Sequence, residues 1–191
     1  MLPVAKPQAR ARTAAKPAHG AATRAESVTK PAAAGESAKQ RILFQLMRTR
    51  AALHAAIHGL TAEAAAQPLG EGKWNAREVV LHLVLRDRAR LREIEGALRG
   101  VRASWEGYTN EQMDRANAEG LAALGHSSWE EAVELLNSTR EALLDDIGSV
   151  PEEPAEVWRA EHAFGWMLHG LPKHDAHHAE AIQRWRAEHG V

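Results

Sequence analysis

The sequence predicts an all-α fold: an antiparallel four-helix bundle over residues 39–191, preceded by a disordered N-terminal tail, residues 1–38. Three observations predict it. Apolar residues recur at three- and four-residue spacing in long segments from about residue 38 onward. Most of those segments open on a capping pattern, a Ser, Thr or Asn followed three residues later by Glu or Gln. After residue 38 there is neither an alternating strand pattern nor a hairpin dipeptide.

The tail comes first. Residues 1–38 are built from Ala, Pro, Lys, Arg, Thr and Ser, with prolines at Pro3, Pro7, Pro17 and Pro31. So few large apolar side chains cannot offset the entropy of ordering. Residues 1–40 hold seven Lys/Arg against two Glu, and the remainder holds 17 basic and 23 acidic side chains. An acidic body has no electrostatic claim on nucleic acid, and the basic tail, without aromatic residues to stack on bases, has only a weak one.

Order is predicted from Ser37, whose capping partner is Gln40. Helix one spans about 38–59, with Leu43, Leu46, Met47, Leu53, Ile57 and Leu60 on its apolar stripe. The next helix opens at Asn75 with Glu78 and runs to Gly100, starting on the run "EVVLHLVLR", whose aliphatic residues lie all round the helix. Thr109 and Gln112 open a shorter helix at about 110–123. A fourth segment starts at Ser127 or Ser128 and ends before Pro151 and Pro154. The last carries Phe164, Met167, Leu171, His174, His178, Ala181, Ile182 and Trp185 along one face, with Pro172 as a start or a kink.

Composition excludes several chemistries. There is no cysteine, hence no disulfide, thiolate metal site or cysteine nucleophile. No apolar run is long enough to span a bilayer, and no secretory signal opens the chain. A cytoplasmic protein without membrane contact is therefore expected.

The chemistry lies in the 11 histidines. His19, His126 and His189 fall in the tail, beside a cap and at the C-terminus. His54 and His58 are an i, i+4 pair with no evident third partner. His174 and His178, in "HDAHH", occupy positions where the apolar pattern asks for Leu, and His177 points about 80° off that direction. Side chains at i and i+4 are near enough for two imidazoles to converge on one ion. His82 is a lone polar residue within Val79, Val80, Leu81, Leu83, Val84 and Leu85. A single histidine there reads as a core group bonded to a carbonyl; three buried on two helices are better explained by a divalent metal. Three neutral ligands leave coordination positions open, as in a catalytic site. Such ligands must be neutral, so occupancy should fall at some pH below the reference of ~6.5.

With "KWNAREVVLHLV", "GWMLHGLPKHDAHHAEAIQRWR" and the intervening "NEQMDRANAEGL" in place, residues 39–189 resemble the DinB/YfiT-like superfamily, a group associated with metal-dependent enzymes. The resemblance implies a four-helix bundle with a three-histidine site, here His82, His174 and His178, holding Zn or Ni. The family often has an acidic residue one turn after the first histidine; Leu85 and Arg86 stand there instead. Relatives of this kind include thiol S-transferases, maleylpyruvate isomerase-like proteins and hydrolases. The function expected is hydrolysis or thiol transfer on a small electrophilic substrate, with a low-molecular-weight thiol as a candidate partner. The alternative is a non-catalytic, stress-related bundle that binds small molecules or forms a homodimer, using tryptophans as apolar surface. Trp74, Trp129 and Trp185 are expected to pack the core. Arg86 is a candidate to steer an anion, against the plainer reading of a solvated side chain. Glu78 is a candidate to orient His82, although its cap already explains it.

Overall fold

The computed structural model describes residues 35–191, so the tail expected over residues 1–38 falls almost wholly outside the described residues. In chain order the helices are α1 (Ala38–Ile57), α2 (Ala62–Ala65), α3 (Ala76–Leu98), α4 (Asn110–Leu124), α5 (Trp129–Ser149), α6 (Ala163–His169) and α7 (Leu171–His189), with a 3-10 turn at Ala155–Trp158 before α6. Only an isolated bridge, Pro68 to Asn75, departs from the all-helical pattern among the described residues. None of the described helices is long and apolar enough to cross a membrane.

The caps form where the spacing places them. Ser37 with Gln40, Asn75 with Glu78, Thr109 with Gln112 and Ser128 with Glu131 each make the reciprocal pair of bonds. Each box satisfies two orphan donors of a first turn and so pins where its helix begins. The last segment is two helices, not one. It breaks at Gly170, and Pro172 sits in the first turn of α7, where its missing N–H costs nothing. Before the break, Gly165 lies against the Arg159–Trp158 backbone so closely that a Cβ would stand 2.0 Å from the Arg159 carbonyl oxygen.

The long helices α1, α3, α5 and α7 make the bundle, antiparallel between two pairs and parallel within each. Lys39, at the start of α1, donates to the carbonyls of Gly148 and Val150 at the end of α5, while Arg50 reaches Leu136 and Asn137. Those two helices therefore run in opposite directions. Arg186 near the end of α7 donates to Ala56 and His58, so α7 runs with α1. Arg77 at the start of α3 donates to Ser127, and Asp87 meets Arg140 further along, so α3 runs with α5. Parallel neighbours need a long crossover, and the stretch from Arg99 to Ser128, with α4 inside it, supplies one.

The core has two apolar clusters. One gathers Leu53, Val80, Val84, Leu136, Ala179 and Ile182; the other gathers Leu46, Ile94, Leu143, Phe164, Leu168 and Leu171. Each long helix passes from one cluster to the other at a buried polar residue: Thr49 on α1, Asp87 on α3, Arg140 on α5 and Asp175 on α7. In that layer Arg140 donates from Nε and Nη2 to the two Asp87 carboxylate oxygens at 2.6 and 3.0 Å. It also donates to both oxygens of Asp175. Burial alone would lower the Arg140 pKa, but the two carboxylates outweigh it and raise it above the usual arginine value. The guanidinium stays charged and ties three helices together.

Candidate metal centre

His82 lies on α3 two turns after Asn75, the cap that starts the helix, and it is buried. His174 and His178 lie on successive turns of α7 and are half-buried. α3 and α7 run in opposite directions, and because α3 continues past the start of α7 to pack on α6, its first half lies beside the first half of α7. His82 Nε2 is 3.0 Å from His174 Nε2, and His178 Nε2 is 3.3 Å from His174 Nε2. One ring nitrogen from each of the three histidines lies within 4.8 Å of the others. No other group of three or more His, Asp or Glu with metal-binding spacing occurs among the described residues, and His54 and His58 join none.

These separations suit one ion. Two imidazole nitrogens at ~2.0–2.1 Å from a common metal stand about 2.9–3.4 Å apart for bond angles from right-angled to tetrahedral. Hydrogen bonding alone accounts for the cluster poorly. With every ring proton on Nδ1, three Nε2 lone pairs face one another; moving one to Nε2 leaves an empty Nδ1 acceptor in the interior. The Nδ1 atoms of His82 and His174 are buried and have no protein partner. The donor set, three neutral imidazoles and no thiolate, suits a divalent transition ion that takes imidazole ligands, Zn, Ni, Cu and Fe alike.

Burial, the other histidines and two arginines keep the rings neutral. Desolvation first, then charge on His178, Arg86 and Arg90, push His82 down to about 3, with the Asn117 side chain on α4 pulling the other way. The same causes take His174 to about 2, and burial with His177 takes His178 to about 4. The pH window expected from the free imidazole value thus moves well into the acid range.

The three rings stand at the wall of a cavity of about 760 Å³, which Trp74, Trp105, Met113, Asn117, Trp166 and Met167 help to line. Trp74 packs its ring 4.9 Å from that of His82 and is half-buried, so it packs against the core as expected and also forms a wall of the site. Trp129 and Trp185 are buried as expected. The crossover brings α4 over the cavity: Gly120 packs on Leu85, where a Cβ would meet Leu85 Cδ1 at 2.6 Å. Leu85, at a place where the resemblance would allow a carboxylate, is thus the seat for α4.

Of the remaining candidates, Glu78 is held by its own cap, accepting from the Asn75 backbone at 2.9 Å, and does not bond His82. His177 is exposed at the cavity rim, its ring 5.4 Å from that of His178. The half-turn placement of His174 and His178 also differs from expectation. The buried face of α7 is Leu171, Asp175, Ala179, Ile182 and Trp185, and the two histidines flank it. Gly170 keeps right-handed helical dihedrals, so the buried Phe164 and Met167 of α6 fall on the same direction as Leu171, Ile182 and Trp185 of α7. Arg90 and Asp175 carry no apolar signal and were not singled out by periodicity.

A helical bundle with histidines of two helices converging on one point is the class of protein that fold and site define. The chain belongs to the DinB superfamily, whose model matches residues 45–182. Among solved structures it is similar to one described as "Sibling Lethal Factor Precursor - DfsB", at 15% identity and a TM-score of 0.66, covering 79% of this chain and 96% of that one. It is also similar to an uncharacterised protein from Escherichia coli UTI89, at 13% identity and a TM-score of 0.63, covering 80% and 95%. At such identities the likeness is one of fold. No curated protein matches the sequence.

Proposed function

We propose that the chain is a metal-dependent enzyme, with His82, His174 and His178 holding one divalent ion, Zn or Ni, for hydrolysis or thiol transfer on a small electrophilic substrate. The observation that carries this reading is the approach of three imidazole nitrogens, one from a buried and two from half-buried histidines, to within ligand spacing at the wall of an open cavity. When bound, such an ion lowers the pKa of water or a thiol, or polarises a substrate oxygen. The rings, kept neutral by burial, offer lone pairs without first losing a proton. Trp74, Trp105 and Trp166 supply apolar walls that exclude water around a small substrate. With no cysteine in the chain, a thiol reactant has to come from solution.

The experiment is elemental analysis of untagged protein beside the His82→Ala variant. It is followed by a screen of thiols with electrophilic acceptors, and of esters and amides, with and without Zn or Ni. About one equivalent of ion in the wild type, lost in the variant, together with metal-dependent turnover, supports the proposal. Thiol conjugation selects transfer, and hydrolysis selects the hydrolase. A variant that retains the ion overturns the site, and a loaded protein that binds ligands but turns nothing over gives way to the non-catalytic bundle.

A further inference from the structure

Beside the histidines, α3 carries two more side chains into the same cavity. His82, Arg86 and Arg90 lie on successive turns, each ~6 Å further along the helix axis. Neither arginine has a carboxylate within 4.0 Å among the described residues. The nearby buried carboxylates, Asp87 and Asp175, are both engaged by Arg140. Arg90 is buried, 6% exposed; its Nε donates to Met167 O at 3.3 Å and its Nη1 to Arg86 O at 3.0 Å, and its Nη2 has no protein acceptor. Arg86 stacks over Trp105 at 4.9 Å, and its one polar contact is Nη1 to Met113 Sδ at 3.7 Å, a weak acceptor.

Two neighbouring guanidiniums withdrawn from water, with no carboxylate in ion-pair contact, are costly. Burial lowers both pKa values, Arg90 to about 10, against the opposing charge of the more distant Asp87. Arginine cannot shed its proton readily, so both remain charged at neutral pH. A guanidinium held over an indole at the lining of a cavity is placed to take the oxygens of an anion. Carbonyl bonds that fix Arg90 without neutralising it hold the second fork in position.

We propose that Arg86 and Arg90 form an oxyanion subsite, so that the substrate is a small molecule with a carboxylate or phosphate group held one to two helical turns from its reacting end at the histidines. The location of the reacting end rests on the metal-enzyme reading; the anion site rests on the arginines alone.

Calorimetric titration of metal-free wild-type protein with inorganic phosphate, with succinate and with neutral succinamide tests it. Succinate or phosphate should bind and succinamide should not; the tighter of the two anions identifies the group. Arg86→Gln and Arg90→Met should each weaken that binding about tenfold or more, the loss of one charge-assisted hydrogen bond. His82→Ala should retain it while losing metal. Removing a buried cation with no carboxylate in ion-pair contact should leave the melting temperature of Arg90→Met unchanged or higher, whereas a purely structural arginine would lower it. Arg86→Gln, at a half-buried position, carries the test should Arg90→Met not fold. Failure of the wild type to bind either anion, or equal binding by Arg86→Gln, overturns the proposal. Anion binding by a protein that takes up no ion would sink the metal reading and leave this one standing.

Discussion

Two buried polar groups lie about one helical turn apart in this bundle, and they are built on opposite plans. In the Asp87–Arg140–Asp175 layer each charge meets its opposite, and both carboxylates are bonded through both oxygens. In the His82–His174–His178 cluster like meets like, and two Nδ1 atoms have no protein partner. Both groups interrupt an apolar interior, and both join α3 to α7. The difference teaches that burial of polar atoms does not by itself mark function. Completed bonding marks a group that holds the fold, and incomplete bonding marks a place where something from outside completes it.

Breaking the completed group should have the largest effect. Arg140→Leu leaves two carboxylates buried without a partner, and urea denaturation should show a loss of roughly 3–5 kcal/mol. Replacing all three members with apolar residues of similar volume should cost far less, because no charge is then stranded. A single replacement without effect would show that water reaches the layer.

The incomplete group should respond to an added partner. At a metal concentration a thousandfold above Kd, the wild type should gain about 4 kcal/mol. His82→Ala, His174→Ala and His178→Ala should each lose that gain while keeping helical circular dichroism and near-wild-type stability without metal. Thermal melts with and without Zn or Ni measure both quantities. An equal metal shift in wild type and variants would place the ion elsewhere.

Acid should separate the groups further. The three histidines titrate at about 3, 2 and 4 in the folded chain, against ~6.5 unfolded. The unfolded chain therefore binds protons that the fold refuses. Their contribution is fully present above about pH 6.5 and is lost progressively as pH falls toward the folded values. Metal-free stability should decline from about pH 6.5 downward, and less steeply in His174→Ala. Metal should stay on the folded protein below pH 6.5 and leave together with the fold. Stability that is flat between about pH 7 and 5 would mean that the rings are hydrated.

The smallest effect is expected at His177. It is exposed at the cavity rim and is not one of the three converging histidines, so His177→Ala should change stability by no more than about 0.5 kcal/mol and leave metal affinity as it was. A large loss of metal in that variant would make the site a four-histidine one.

The helices were legible because their signals are local. Ser37–Gln40, Asn75–Glu78, Thr109–Gln112 and Ser128–Glu131 each fix a first turn within four residues, and helix starts depend on little else. The three histidines were legible because a polar residue amid apolar neighbours stands out in one dimension. The arginines and aspartates were not. Arg90, Arg140, Asp87 and Asp175 sit among other charged residues, and periodicity assigns such residues to the solvent face. Their burial depends on partners 35 and 53 positions away.

Sequence by itself determined that the chain is helical, where its helices begin, that the chain carries no thiol of its own, and which three histidines stand out. Only the tertiary structure decided how the helices pair, that the last segment divides at Gly170, that Trp74 lines a cavity, and that Arg86 and Arg90 have no carboxylate beside them. The reason is physical. Caps and periodicity are properties of a few consecutive residues, whereas charge compensation and cavity shape belong to surfaces that meet only when distant segments pack.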